Sequence, residues 1–155
     1  MDMDIRAKLA EMGLGLPAAP KPVAAYVPAV HSGGLIWVSG QLPMREGKLM
    51  ATGPVPETVT LAEAQAAARQ CALNALAIVD EQLGGDWSRF VRVVRLGVFV
   101  ASCDGFADQP KVANGASELL GALFGAAGRH ARAAVGVNAL PLGASVELEM
   151  IIEAR

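Results

Sequence analysis

Apolar and polar positions recur along this chain with two different periods, and the switches between them mark out its elements. Ile5, Leu9 and Met12 stand at helical spacing before Gly13 and predict a short amino-terminal helix that stops at the glycine. From Leu16 to Pro28, Pro17, Pro20, Pro22 and Pro28 interrupt any regular pattern, so this segment reads as an extended arm. Two short β-like runs, 25–30 and 35–39, flank Gly33-Gly34 and predict a tight hairpin, followed by a loop-rich stretch to Pro56. Thr60-Leu61-Ala62-Glu63 is a capping box that opens a long helix, closed by Gly84-Gly85. Its apolar face, Leu61, Ala64, Ala68, Cys71, Ala72, Ala75, Ile78 and Val79, is built mostly of small residues and can lie close to a sheet. The run from Phe90 to Val100 is apolar almost throughout apart from Arg92 and Arg95, the pattern of a central strand. A second helix is predicted over 111–124, with Val112, Ala116, Leu119, Leu120 and Leu123 on one side. Two last strands, beginning near Ala131 and Val146, are joined through Leu140-Pro141-Leu142-Gly143 and predict a closing hairpin.

This order defines an α+β chain, with two helices on one face of a mixed sheet. Residues 1–24 form a helix and proline-rich arm, and residues 25–155 a single domain. Two helices cannot cover both faces of the sheet, and composition sharpens the point. The chain is 53% hydrophobic and only 18% charged, with a mean hydropathy of +0.39, which predicts apolar surface buried between identical subunits. No segment offers the ~20 continuous apolar residues of a membrane helix, and Asp2, Asp4, Arg6, Lys8 and Glu11 occupy the place of a signal-peptide core. A cytoplasmic protein without a membrane partner is expected. A net charge of −2 and a pI near 5.7 leave no basic footprint, which makes nucleic acid a poor partner. Cys71, Cys103, His31 and His130 are too scattered for a ligand set, so no metal and no cofactor is expected.

Candidate chemistry concentrates near the carboxyl terminus. Strand alternation places Arg132, Ala134 and Gly136 on one face, while Glu147, Glu149 and Glu153 lie opposite Val146, Leu148, Met150 and Ile152. A hairpin register pairing Arg132 with Glu147 would bring cation and carboxylate onto one face. Two readings follow. One is a cross-strand ion pair on a solvated face. The other is a site where an arginine grips a carboxylate or phosphate and a glutamate handles protons or water.

An ordered set of motifs extends this reading. Val38-Ser39-Gly40-Gln41-Leu42-Pro43, Asn74-Ala75-Leu76, Asn114, Ala131-Arg132, Leu140-Pro141 and Val146-Glu147-Leu148-Glu149 resemble the Rid family of reactive-intermediate deaminases, also described as YjgF-like or L-PSP endoribonuclease-like. The resemblance covers 25–155 and points to a longer-chain subgroup. It implies a chorismate-mutase-like fold and a homotrimer with clefts between subunits. The activity it implies is hydrolysis of carboxylate-bearing enamines and imines, such as aminoacrylate, to 2-keto acids and ammonia. Arg132 matches the family arginine that clamps the substrate carboxylate, and Glu147 the glutamate that positions water and relays protons. Tyr26, Ser39, Gly40 and Asn114 fall on cleft-lining positions.

Each position also has a plain structural reading. Ser39-Gly40 would end a strand, Tyr26 would be a half-buried arm residue, and Asn114 would satisfy backbone in a first helical turn. Three departures stand out. His130 replaces a proline common before the Ala-Arg pair, and Ala134 a cysteine whose backbone groups remain available for binding. Gly136 and Asn138 replace charged residues of shorter members. His130 either tunes the arginine with pH or serves as a cap. Binding of small carboxylates without turnover and endoribonuclease activity are the rival functions.

Overall fold

The capping box forms as its residues dictate. Thr60 Oγ1 accepts from the Glu63 amide at 3.1 Å, and Glu63 Oε2 accepts from the Thr60 amide at 2.8 Å. The helix it starts, α2, runs Leu61–Leu83 and ends at Gly84, whose φ of +65° is a left-handed conformation that glycine adopts without penalty. Thr60→Ala removes one half of the box and is expected to lower stability by about 1 kcal/mol, read by chemical denaturation. The computed structural model describes residues 3–22 and 24–155; Met1, Asp2 and Val23, which belong to the expected helix and arm, lie outside the described residues.

The other helices are α1, Ile5–Glu11, and α3, Gln109–Phe124. The third starts two residues before the predicted position, because Pro110 at its first turn lacks only an amide that no helix would have paired there. Ile5 and Leu9 of α1 are buried in the same core as α2 and α3. Arg6 pairs with Asp80 of α2 at 2.7 Å, and Lys8 Nζ donates to the Leu123 carbonyl of α3 at 2.8 Å. The amino-terminal helix is thus a third helix docked on the other two.

The strands are β1 Ala29–Ser32, β2 Leu35–Gln41, β3 Met44–Arg45, β4 Lys48–Leu49, β5 Phe90–Ala101, β6 Ala131–Val137 and β7 Val146–Ala154. The first hairpin turns through Gly33 and Gly34, at φ +57° and +77°, as expected, although β1 begins only after Pro28. The loop-rich stretch hides a small second hairpin, β3 to β4, turning at Glu46-Gly47.

Strand order in the main sheet is β1-β2-β7-β5-β6. As its apolar run predicts, β5 is an interior strand, but the middle place belongs to β7. The closing hairpin does not form: β6 pairs parallel with β5, and β7 pairs antiparallel with β5 on its other side and with β2. The connection through Leu140-Pro141-Leu142-Gly143 therefore steps across the end of β5 instead of reversing onto β6. Burial explains the choice. Val146, Leu148, Met150 and Ile152 are all essentially inaccessible between two neighbours, each stabilising by roughly 1.5–3 kcal/mol. The strand β6, made of alanine, glycine and valine around Arg132, has little to bury and takes the edge.

Helices α2 and α3 cover one sheet face, as predicted. The opposite face carries Trp37, Phe99, Val135 and Ile151 together with the Arg95–Glu149 ion pair at 2.9 Å. Trp37 is 50% and Val135 45% exposed there. Among the described residues, no helix is long and apolar enough to cross a membrane.

Candidate active site

One group of candidate residues gathers where β2 meets β7. The pairing jumps from Val38↔Met150 to Gln41↔Leu148, so Ser39 and Gly40 together oppose a single residue, a β-bulge. Gln41, buried behind it, donates Nε2 to the carbonyls of Ser39 and Gly40 at 3.0 and 3.3 Å and holds the bulge in shape. Ser39 Oγ donates to the Val27 carbonyl at 2.7 Å, tying the end of the arm alongside. Behind the next turn, buried Asn74 of α2 donates to the carbonyls of Leu42 and Met44, both at 3.0 Å.

Glu147 lies against this bulge. A Cβ on Gly40 would run into the Glu147 carboxyl group, reaching Cδ at 3.0 Å, so the missing side chain makes room for the carboxylate. Burial raises the Glu147 pKa first, and the nearby Glu149 charge adds to the rise. Glu147 makes no side-chain hydrogen bond or ion pair among the described residues. It is a half-buried carboxylate with a raised pKa, which makes its ionised form a stronger base than an ordinary glutamate. Tyr26 and Gly40 line a partly open cleft with Pro20, Pro22, Leu42 and Met44, while Glu147 is not among its lining residues.

The second group forms at the β6 edge. Arg132 Nη1 donates to Asn114 Oδ1 at 2.9 Å and to Ser117 Oγ at 3.1 Å, and Nη2 reaches the Pro110 carbonyl at 3.4 Å. Asn114 and Ser117 stand three residues apart on α3 and so share a helix face. Nη1 is thus held by two acceptors, whereas Nε has no partner among the described residues. The Nε–Nη2 side of the guanidinium is thus the fork open to an incoming carboxylate. Ala134 lies two residues along on the same face of β6, packed against the core.

The two groups do not meet within one chain. Arg132 is level with Leu96 and Met150, both buried on the helix-covered face. Glu147 is level with Phe99 and Val135 on the opposite face. The expected cross-hairpin pairing of Arg132 with Glu147 is therefore incorrect, because β5 separates their strands and the pleat sends them to opposite sides. The structure unites Arg132 with Asn114, with Ala134 on the same strand face, and Gly40 with Glu147; Ser39 shares the bulge with Gly40 but bonds to Val27, and Tyr26 joins Gly40 only. Sequence reasoning assigned nothing to Gln41 and Ser117. The spacing of Ser117 from Asn114 was the available signal for the second.

A mixed sheet with helices packed on one face makes this an α+β protein of the YjgF-like fold. The chain belongs to the endoribonuclease L-PSP family, whose model matches residues 16–154. It is 47% identical to Protein TCP17 of Trypanosoma cruzi over 96% of this chain and 93% of that protein. It is 29% identical to a 2-iminobutanoate/2-iminopropanoate deaminase of Dermatophagoides farinae, covering 90% and 93% of the two chains. The crystal structure of Atu1372, a protein of unknown function from Agrobacterium tumefaciens, superposes with a TM-score of 0.91 at 49% identity, covering 97% of this chain and 93% of that one.

Proposed function

We propose that this protein hydrolyses enamines and imines of the aminoacrylate type to 2-keto acids and ammonia. The observation that carries the reading is the Arg132 guanidinium, with Nη1 secured by Asn114 and Ser117 and its Nε–Nη2 fork free for a carboxylate. Glu147, with its raised pKa beside Gly40, supplies the base. The matching deaminase of Dermatophagoides farinae supports the substrate class.

Because the two groups lie on opposite faces of one sheet, a complete cleft draws the Arg132 wall from one copy and the Ser39-Gly40-Glu147 wall from its neighbour. A homotrimer with three such clefts fits this requirement and covers Trp37 and Val135. An enamine first tautomerises to the imine, gaining a proton at its terminal carbon and losing one from nitrogen; Glu147 then takes a proton from water as the oxygen adds to the imine carbon. The carboxyl group passes that proton to nitrogen to give a carbinolamine; Glu147 then takes the hydroxyl proton and delivers it to the amino nitrogen, so the C–N bond breaks as the C=O bond forms and ammonia leaves. Arg132 holds the substrate carboxylate throughout, so attack becomes a positioned encounter.

The test couples the purified protein to a dehydratase that releases aminoacrylate and follows keto-acid release above the uncatalysed rate, alongside light scattering. An unchanged rate overturns the reading of activity, and a monomer mass at micromolar concentration overturns the shared cleft. Gly40→Ala is expected to leave the fold intact, since only a flexible carboxyl end must move, yet to lower kcat about 100-fold by displacing Glu147. Keto-acid release and thermal unfolding of the same preparation check the two halves of that statement.

A further inference from the structure

We infer that Ser117 and His130 are positioning residues that orient Arg132 for its carboxylate ligand, an assignment that rests on the reading of Arg132 as the clamp. Hydrogen-bond logic leaves little freedom. His130 Nδ1 lies 2.7 Å from the Gly128 carbonyl, which can only accept, so Nδ1 carries the proton of the neutral ring. Nε2 is then a lone pair, and the Ser117 hydroxyl 2.9 Å away must donate to it. That uses the only proton of the hydroxyl. The Oγ lone pairs are left to Arg132 Nη1 at 3.1 Å, beside Asn114 Oδ1 at 2.9 Å.

The order of donation matters for the fork. A serine inside a helix ordinarily turns its hydroxyl back to the carbonyl one turn earlier. His130 instead draws the Ser117 hydroxyl toward the strand, where its oxygen accepts from Nη1 alongside Asn114 Oδ1. With Nη1 held at two points, the guanidinium plane cannot spin, and its Nε–Nη2 edge keeps a single direction. His130 itself is anchored because Gly128 packs where no Cβ fits: the added carbon would strike the backbone of Leu120 in α3, with Leu120 C at 2.7 Å. The chain of contacts thus runs from the core of α3 through Gly128, His130 and Ser117 to Arg132.

The experiment uses the full chain labelled with 15N-arginine. In the wild type the Nη1 protons of Arg132 are expected as resolved, slowly rotating resonances, assigned by their loss in Arg132→Lys. Ser117→Ala and His130→Phe are expected to average those resonances, to weaken pyruvate binding followed by the same spectra about tenfold, and to raise KM about tenfold while kcat stays within about twofold. Ser117→Thr keeps the hydroxyl, and His130→Gln keeps an acceptor for it, so both are expected to restore most of the effect. Unchanged Arg132 resonances and pyruvate affinity in Ser117→Ala and His130→Phe overturn the proposal. So does His130→Gln behaving like His130→Phe, which would reduce the histidine to packing. A wild type that binds pyruvate through Arg132 without turnover sinks the deaminase reading alone, and the resonance and affinity comparisons still decide this one.

Discussion

Arg132→Ala is expected to lower kcat/KM for aminoacrylate by about 10²–10⁴, the loss of two charge-assisted hydrogen bonds to the substrate carboxylate. Folding should be nearly untouched, because Arg132 is exposed and its partners Asn114 and Ser117 sit where water can replace it. The diagnostic control is Arg132→Lys. Lysine keeps the charge but presents a single ammonium in place of a planar fork, and it cannot occupy Asn114 and Ser117 while also gripping two oxygens. It should recover a small part of the lost rate. Keto-acid release measured with the coupled dehydratase decides the matter: equal rates for wild type and Arg132→Ala remove the proposed mechanism.

Glu147→Gln is expected to abolish turnover and, at the same time, to stabilise the fold slightly at neutral pH. The second effect follows from the direction of the pKa shift. Burial and the Glu149 charge raise the Glu147 pKa above its unfolded value near 4.3, so the folded chain binds more protons through the window just above that value. Stability therefore falls as pH rises through the window, and above it the charged carboxylate remains a constant cost. Glutamine removes the cost. A higher Tm at pH 7 that converges with the wild type by about pH 4 is the expected signature, and a lower Tm at pH 7 would contradict it. In activity, the wild type should lose kcat/KM on the acid side as Glu147 takes up its proton, at a pH above that of an unperturbed glutamate. Glu147→Ala further separates enzyme from binder: retained pyruvate affinity with no keto-acid release supports catalysis.

Much of the architecture was legible because it is written in local chemistry. The capping box of α2, its glycine stop, the apolar run of β5 and the Gly33-Gly34 turn each act within a few residues, and each formed as its pattern predicted. The β3–β4 hairpin escaped notice because Glu46-Gly47 is flanked by strands of only two residues, too short for a period to show. The candidate site was legible as a set of residues and not as a shape. Ser39-Gly40 reads as a strand end, and only the pairing with β7 reveals a bulge that seats Glu147.

The amino-acid sequence by itself determined the main helices and strands and which of their faces are apolar, and it singled out Arg132 and Glu147 as candidates, since periodicity, caps and side-chain type are local properties. The tertiary structure alone decided that β7 enters between β2 and β5 while β6 goes to the edge. That choice is a competition for burial among strands distant in the chain, won by Val146, Leu148, Met150 and Ile152. It turns Arg132 and Glu147 from supposed neighbours into residues on opposite faces of one sheet. On the proposed function, the wall that carries Arg132 and the wall that carries Glu147 must then come from two copies of the chain.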